Sequence, residues 1–262
     1  MNILQRITER KRVEIEQRRI ERPLAELEAA VSNAPPVRSF YDAIAASAEI
    51  SLIAEVKKAS PSKGVIRDDF DPIEIAKRYQ RAGAQCVSVL TDEPFFQGRL
   101  EYLAAIRQSV ELPLLRKDFI LDPYQVWEAR VAGADAVLLI AECLPGFELK
   151  RLHDQIERLG MTPLVELYDP ANVDRVVDCG ARLIGINSRN LTDFQVDLDR
   201  TIRIRQDLPA DRRVVAESGI ETREDVQRLA QAGFDAILVG ETLMRSASIE
   251  DAVTDLLGKP SN

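Results

Sequence analysis

RAGAQCVSVL, residues 81–90, is the stretch on which the fold turns. Its glycine can take the left-handed conformation that stops a helix, and the apolar run behind it has the length of a buried strand. The same arrangement returns as VAGADAVLLI (131–140), DCGARLIGIN (178–187) and QAGFDAILVG (231–240). The four glycines, Gly83, Gly133, Gly180 and Gly233, stand 50, 47 and 53 residues apart. That is roughly twice a strand–helix unit, so a further strand is expected inside each gap. LPLLRK (112–117), TPLVEL (162–167) and RVVAES (213–218) supply these, and ISLIAEVK (50–57) precedes the first repeat. Between strands, Asp71-Pro72, Asp122-Pro123 and Asp169-Pro170 each set a capping carboxylate before a proline at the first helical position. Thr222 with Asp225 has the spacing of a cap and its acidic partner.

Eight apolar strands alternating with helices imply a parallel sheet with right-handed crossovers. The length suits closure into a single (β/α)8 TIM barrel. A doubly wound sheet would place a glycine-rich turn after its first strand, whereas EVKKASPSKG (55–64) is no dinucleotide fingerprint. Residues 49–262 therefore read as an α/β barrel catalytic domain. Residues 1–48 read as a helical extension packed on it: Ile3, Leu4, Ile7 and Ile15 lie near helical spacing, Pro23 can open a second helix, and Pro35-Pro36 breaks the chain before Phe40. Such an extension either covers the mouth as a lid or plugs a barrel end or flank, with Ile3, Leu4 and Ile7 as the plug.

The 262 residues carry 30% charged and 45% hydrophobic side chains, which excludes a disordered chain. The longest apolar candidate for a membrane span, AVLLIA (136–141), is strand-sized, so no membrane partner is expected. A net charge of -8 argues against nucleic acid. Cys86, Cys143 and Cys179 are odd in number and widely spaced, and His153 is the single histidine. Neither a zinc site nor a histidine-activated nucleophile is expected, and the thiols read as buried groups in a reducing cytoplasm. Arg6, Arg10, Lys11, Arg12, Arg18 and Arg19 give the N-terminus a superficial likeness to a transit peptide, but Glu9, Glu14, Glu16 and Glu21 interleave with them. A cytoplasmic protein is expected.

In barrel enzymes the chemistry sits at the carboxyl ends of the strands. Here those positions hold Glu55 and Lys57, Lys117, Glu166, Asn187 with Arg189, and Glu217. Glu55 and Lys57 are two apart on a strand and share a face. Charges held in a partly dry space must pair with each other or with a ligand. Lysines and glutamates together supply acid and base without histidine: desolvation can lower a lysine pKa and raise a glutamate's. Glu166, alone at the end of an apolar strand, is expected to be raised. AESGI (216–220) and LVGETLMR (238–245) put Gly219 and Gly240 just past the last two strands, where this fold commonly binds phosphate through backbone N–H groups.

IAEVKKASPSKG (53–64), LTDEPFFQG (90–98), LRKDFI (115–120), GADAVLLIA (133–141), INSRNL (186–191) and AESGI together resemble indole-3-glycerol-phosphate synthases, in order and across the whole barrel. The resemblance implies a carboxy-lyase of tryptophan biosynthesis. Its substrate would be 1-(2-carboxyphenylamino)-1-deoxyribulose 5-phosphate, processed by ring closure, decarboxylation and dehydration, with no metal or organic cofactor. It implies Lys117 as the ring-closure acid, Glu166 as the acid–base group of dehydration and Lys57 as a lysine on the carboxylate and phosphate side. Glu55, Asn187 and Glu217 would hold hydroxyls, the amine and the lysines, and Arg189 the anthranilate end. Ser60, Ser62, Ser218, Gly219, Gly240 and Glu241 would line the phosphate side. Phe96, Phe119, Leu138 and Leu191 would form an apolar wall for the aromatic ring. Some members carry serine where Glu241 stands, so its backbone is expected to face the anion. The family folds its N-terminal extension over the mouth. The chain stops soon after its eighth helix, so no fused phosphoribosylanthranilate isomerase is expected. Independently, a monomer or at most a weak dimer is expected. The rival readings are another phosphosugar barrel, such as that isomerase, and a catalytically silent barrel that binds a phosphorylated metabolite.

Overall fold

Eight parallel strands close on themselves in sequence order: β1 (Ser51–Val56), β2 (Cys86–Leu90), β3 (Leu114–Lys117), β4 (Ala136–Ile140), β5 (Thr162–Leu167), β6 (Leu183–Asn187), β7 (Arg213–Glu217) and β8 (Ala236–Val239). The structure is a computed structural model and describes residues 2–47, 49–190 and 194–258. β8 completes the ring by pairing with β1, from Ser51 opposite Ala236 to Ala54 opposite Val239. Each repeat resolves as expected: Gly83, Gly133, Gly180 and Gly233 all have φ between 82° and 95°, in the left-handed region, and a buried strand starts three residues later.

The helices follow in chain order. Three precede the barrel: α1 (Ile3–Glu21), α2 (Leu24–Ala30) and α3 (Phe40–Ala45). Around it run α4 (Pro72–Arg81), α5 (Glu93–Phe96), α6 (Leu100–Arg107), α7 (Pro123–Ala132), α8 (Glu148–Arg158), α9 (Val173–Asp178), α10 (Leu198–Gln206), α11 (Arg223–Gln231), α12 (Glu241–Arg245) and α13 (Ile249–Leu257). Asp71 caps α4, Asp122 caps α7, and Thr222 with Asp225 forms a capping box on α11. Each such cap is worth about 1 kcal/mol. Asp169-Pro170 differs from expectation, because it opens a 3₁₀ turn (Pro170–Asn172) and the α-helix starts only at Val173.

The segment before β1 touches both ends of the barrel. On α1, Lys11 pairs with Asp92 and Asp118, just beyond the carboxyl ends of β2 and β3. The chain then descends along α7: Tyr124 Oη donates to the Arg18 carbonyl at 2.8 Å, and α2 packs on α7. Pro35-Pro36 passes under the barrel, where Arg107 donates to the Pro36 carbonyl and the Arg38 N–H to Asp135 Oδ1 at 2.7 Å. Finally, α3 seats Phe40 and Ile44, both buried, against the first residues of β1 and β2, with Ser51 Oγ donating to the Ile44 carbonyl. The base plug is therefore Phe40 and Ile44. Of the two places expected for Ile3, Leu4 and Ile7, the barrel end is corrected, because they ride on the helix anchored at the rim, whereas packing of these residues against the core from the flank agrees with expectation. Among the described residues, none of 2–47 lines the mouth cavity, so α1 braces that rim from outside.

Candidate active site

The carboxyl ends of the strands surround a cavity of about 500 Å³. Strand pleating sends Glu55 and Lys57 to one side of it, where Lys57 Nζ lies 2.6 Å from Glu55 Oε2. Opposite, Lys117 from β3 donates to Glu166 Oε2 of β5 at 3.0 Å and to Glu217 Oε2 of β7. Asn187 Nδ2, from β6, donates to Glu166 Oε1 at 3.0 Å. Glu55, Glu166, Asn187 and Glu217 are all buried. Glu217 finds room because β6 carries Gly185 beside it, where a Cβ would collide with Glu217 Oε1.

Two lysines face three glutamates here, and the surroundings decide which carboxyl keeps its proton. Burial alone would depress the Lys117 ammonium, but the carboxylates of Glu166 and Glu217 outweigh it and hold Lys117 above the ordinary lysine value. Burial also pushes Glu217 up; Lys117 opposes this, nearby Glu166 adds to it, and the carboxyl rises to about 8. Glu166 goes the other way. Burial would raise it, yet Lys117 and the Asn187 amide more than compensate and keep it below the usual glutamate range. The expectation of a raised Glu166 is thus overturned: an apolar strand is its sequence context, but a cation and an amide are its neighbours. The elevated carboxyl is Glu217.

The last two strand ends form a tight backbone floor. Ser218 and Gly219 both have positive φ, 67° and 69°. A Cβ on Gly240 would collide with Glu55 Oε2 and lie 3.1 Å from Lys57 Nζ, so this glycine brings the backbone against the Glu55–Lys57 pair. Gly240 then starts the short helix α12. The Glu241 carboxylate is turned onto cations, with Arg245 Nε at 3.1 Å, Lys63 Nζ at 3.5 Å and Arg189 Nη2 at 3.7 Å. Ser60 and Ser62 lie on a small ribbon after β1, their Oγ atoms 3.5 Å apart.

Across the cavity, Phe96 and Phe119 pack with ring centroids 6.2 Å apart, and Leu138 adds to this apolar side. The Arg189 N–H donates to Asn187 Oδ1 at 2.9 Å, and its guanidinium reaches the Phe194 carbonyl. All the residues singled out from the sequence line this one cavity except Leu191, which lies outside the described residues. The sequence reading missed Phe194, Arg245 and Asp118 as lining residues. Arg245, four positions after Glu241 on a helix, was the detectable one. Among the described residues, the one His/Cys/Asp/Glu group tight enough for a metal is His153, Asp154 and Glu157 on α8, which does not line the cavity.

Residues 4–256 match the family model of indole-3-glycerol phosphate synthase. An indole-3-glycerol phosphate synthase from Rhodopirellula baltica is 55% identical over 235 residues, covering 90% of this chain and 91% of the relative. Another, from Acidithiobacillus ferrooxidans, is 48% identical over 258 residues, covering 97% and 98%. By fold alone, the chain resembles the solved structures of 3-hexulose-6-phosphate synthase from Salmonella typhimurium (TM-score 0.64, 15% identity, 79% of this chain and 96% of that one) and thiamine phosphate pyrophosphorylase from Pyrococcus furiosus (TM-score 0.60, 18% identity, 79% and 93%).

Proposed function

This chain belongs to the indole-3-glycerol phosphate synthase family, and on that premise we propose which side chains carry each step. It is a carboxy-lyase of tryptophan biosynthesis. Its phosphorylated substrate, 1-(2-carboxyphenylamino)-1-deoxyribulose 5-phosphate, loses carbon dioxide and water and becomes indole-3-glycerol phosphate. A cavity of about 500 Å³ is within the ordinary range for a ligand of this kind.

Ring closure joins the aromatic carbon bearing the carboxylate to the ketose carbonyl carbon, and negative charge develops on the carbonyl oxygen. Lys117, kept charged chiefly by the Glu166 carboxylate and held by Glu217, donates its proton there. The bond to the carboxylate then breaks, and its electron pair restores the aromatic ring as carbon dioxide leaves. Dehydration needs a proton delivered to the new hydroxyl and another taken from the adjacent carbon as the C=C bond forms. Glu166, held ionised, takes the second; Lys57, steered by Glu55, delivers the first. Asn187 fixes Glu166, and Glu217 fixes Lys117. The aromatic ring rests on Phe96, Phe119 and Leu138, with Arg189 toward its carboxylate. The phosphate lies at the backbone of Ser218, Gly219 and Gly240, near Ser60 and Ser62, with Glu241 presenting its backbone because its carboxylate is occupied by cations.

The observation that carries this reading is Lys117, an ammonium held between two buried glutamates, Glu166 and Glu217, at the mouth of an apolar-walled cavity. In Lys117→Ala, followed by the fluorescence of the indole product, turnover should fall about 10²- to 10⁴-fold, with a smaller change in KM. Near wild-type turnover overturns the assignment. We place the boundary between extension and barrel at residues 48 and 49, and we expect a cytoplasmic protein that is a monomer or at most a weak dimer. Supporting this, Cys86, Cys143 and Cys179 are free and buried, and among the described residues no helix is long and apolar enough to cross a membrane.

A further inference from the structure

Lys11 is a lysine in the middle of α1, and it is 3% exposed. Its Nζ lies 2.8 Å from Asp92 Oδ2, 3.0 Å from Asp118 Oδ1 and 3.0 Å from Glu14 Oε2. A buried ammonium is costly without such partners. Burial would lower its pKa, but the carboxylates of Asp118 and Asp92 more than reverse that, so it stays charged.

Both partner aspartates have a second task. Asp92 caps α5, accepting the Phe95 N–H at 3.0 Å, and so sets the turn that carries Phe96. Asp118 Oδ1 accepts the Phe119 N–H at 2.8 Å, while its Oδ2 receives Thr91 Oγ1 at 2.6 Å and Arg116 Nη2 at 3.1 Å. One cation from the N-terminal extension thus bridges the two carboxylates that fix the backbone beneath Phe96 and Phe119. The two rings sit on the segments that follow β2 and β3, which the barrel ties only at their base, Leu90 opposite Lys117 and the Thr91 N–H on the Lys117 carbonyl at 3.1 Å, so Lys11 adds a tie outside the strand ladder.

We propose that Lys11 is a positioning residue of the aromatic subsite: it clamps the loops after β2 and β3 so that Phe96 and Phe119 hold the spacing that receives the substrate's aromatic ring. The inference rests on the reading of those phenylalanines as the aromatic wall. It gives the extension a part in substrate selection although none of its described residues lines the cavity.

The test uses the full chain and two separate probes, anthranilate for the aromatic half and inorganic phosphate for the other. Lys11→Met keeps the stem and removes the charge. Lys11→Met with Asp92→Asn also removes one of the stranded carboxylates, preserving the cap and protecting the fold. Both variants should bind anthranilate about tenfold more weakly, about 1.4 kcal/mol, and raise KM similarly, with phosphate affinity held within about twofold. Phe119→Ala is the control. If it loses anthranilate affinity while the folded double variant does not, the clamp is refuted and the wall stands. If Phe119→Ala leaves anthranilate binding unchanged, the wall reading fails and the clamp with it. Parallel loss of anthranilate and phosphate affinity in the double variant would show general loosening and also overturn the proposal.

Discussion

Replacing Glu217 by glutamine should make the protein more stable relative to wild type as pH rises, against the usual experience of deleting a buried charge. Below its elevated pKa, Glu217 is neutral in the folded protein, and glutamine is close to it in shape. An unfolded chain ionises this carboxyl near its ordinary value of 4.5, whereas the folded protein does so only near 8. A pKa raised by folding contributes stability that is complete below the unfolded value and is lost as pH rises through the folded one. Wild type should therefore lose stability from this group between about pH 4.5 and about pH 8, and Glu217→Gln should not. At about 1.4 kcal/mol per pH unit, the full window amounts to roughly 5 kcal/mol, an upper figure because Glu166 and Lys117 readjust together. With an unfolding entropy of about 2.1 cal/mol/K per residue, a chain of this size would show this as a Tm gap widening by roughly 9 °C. Equilibrium urea unfolding of both proteins across this pH range measures the difference directly. A gap that is constant, or that closes as pH rises, refutes the placement of the shifted proton on Glu217.

Glu166→Gln should leave ring closure working and stop the chain of events afterwards, so rapid quenching should collect a decarboxylated but undehydrated intermediate; accumulation of unreacted substrate instead assigns Glu166 to the first step. Gly240→Ala should reduce turnover as well as phosphate affinity, because the new Cβ would strike Glu55 and crowd Lys57; a selective loss of phosphate binding contradicts that contact. Phe40→Ala should cost about 3–5 kcal/mol in urea unfolding while the folded fraction keeps its KM and kcat, as expected of a plug at the far end of the barrel; altered kinetics would mean that the base communicates with the mouth.

The fold was legible because its signals are local. A glycine stopping a helix, an aspartate-proline opening one and an apolar strand between them are all properties of a few adjacent residues. The strand-end charges were legible too, since pleating alone decides that Glu55 and Lys57 share a side. What the sequence could not show is which charge meets which. Lys117 reaches Glu166 and Glu217, 49 and 100 positions away, and that choice reverses the expected direction for Glu166. Lys11 escaped notice among the other basic residues of its helix. In hindsight it stands four positions from both Ile7 and Ile15, in the middle of the one stripe that α1 buries. A lysine inside an apolar stripe is the pattern to look for.

The order in which the chain leaves the ribosome gives Lys11 a particular history. Helix α1 is made before the barrel, yet Asp92 and Asp118, the ion-pair partners of Lys11, are 81 and 107 residues behind it, a delay of roughly 4–20 s at ordinary rates of synthesis. Until Asp92 is made the basic helix has no counterion from the barrel, and β1 has no neighbour on its far side until β8 is made. The extension is thus secured at the rim only once the segments after β2 and β3 are made. Nascent chains halted before Asp92 should leave α1 open to protease. Completed chains should protect it, so Lys11 works in folding as a latch that engages once the loops after β2 and β3 exist.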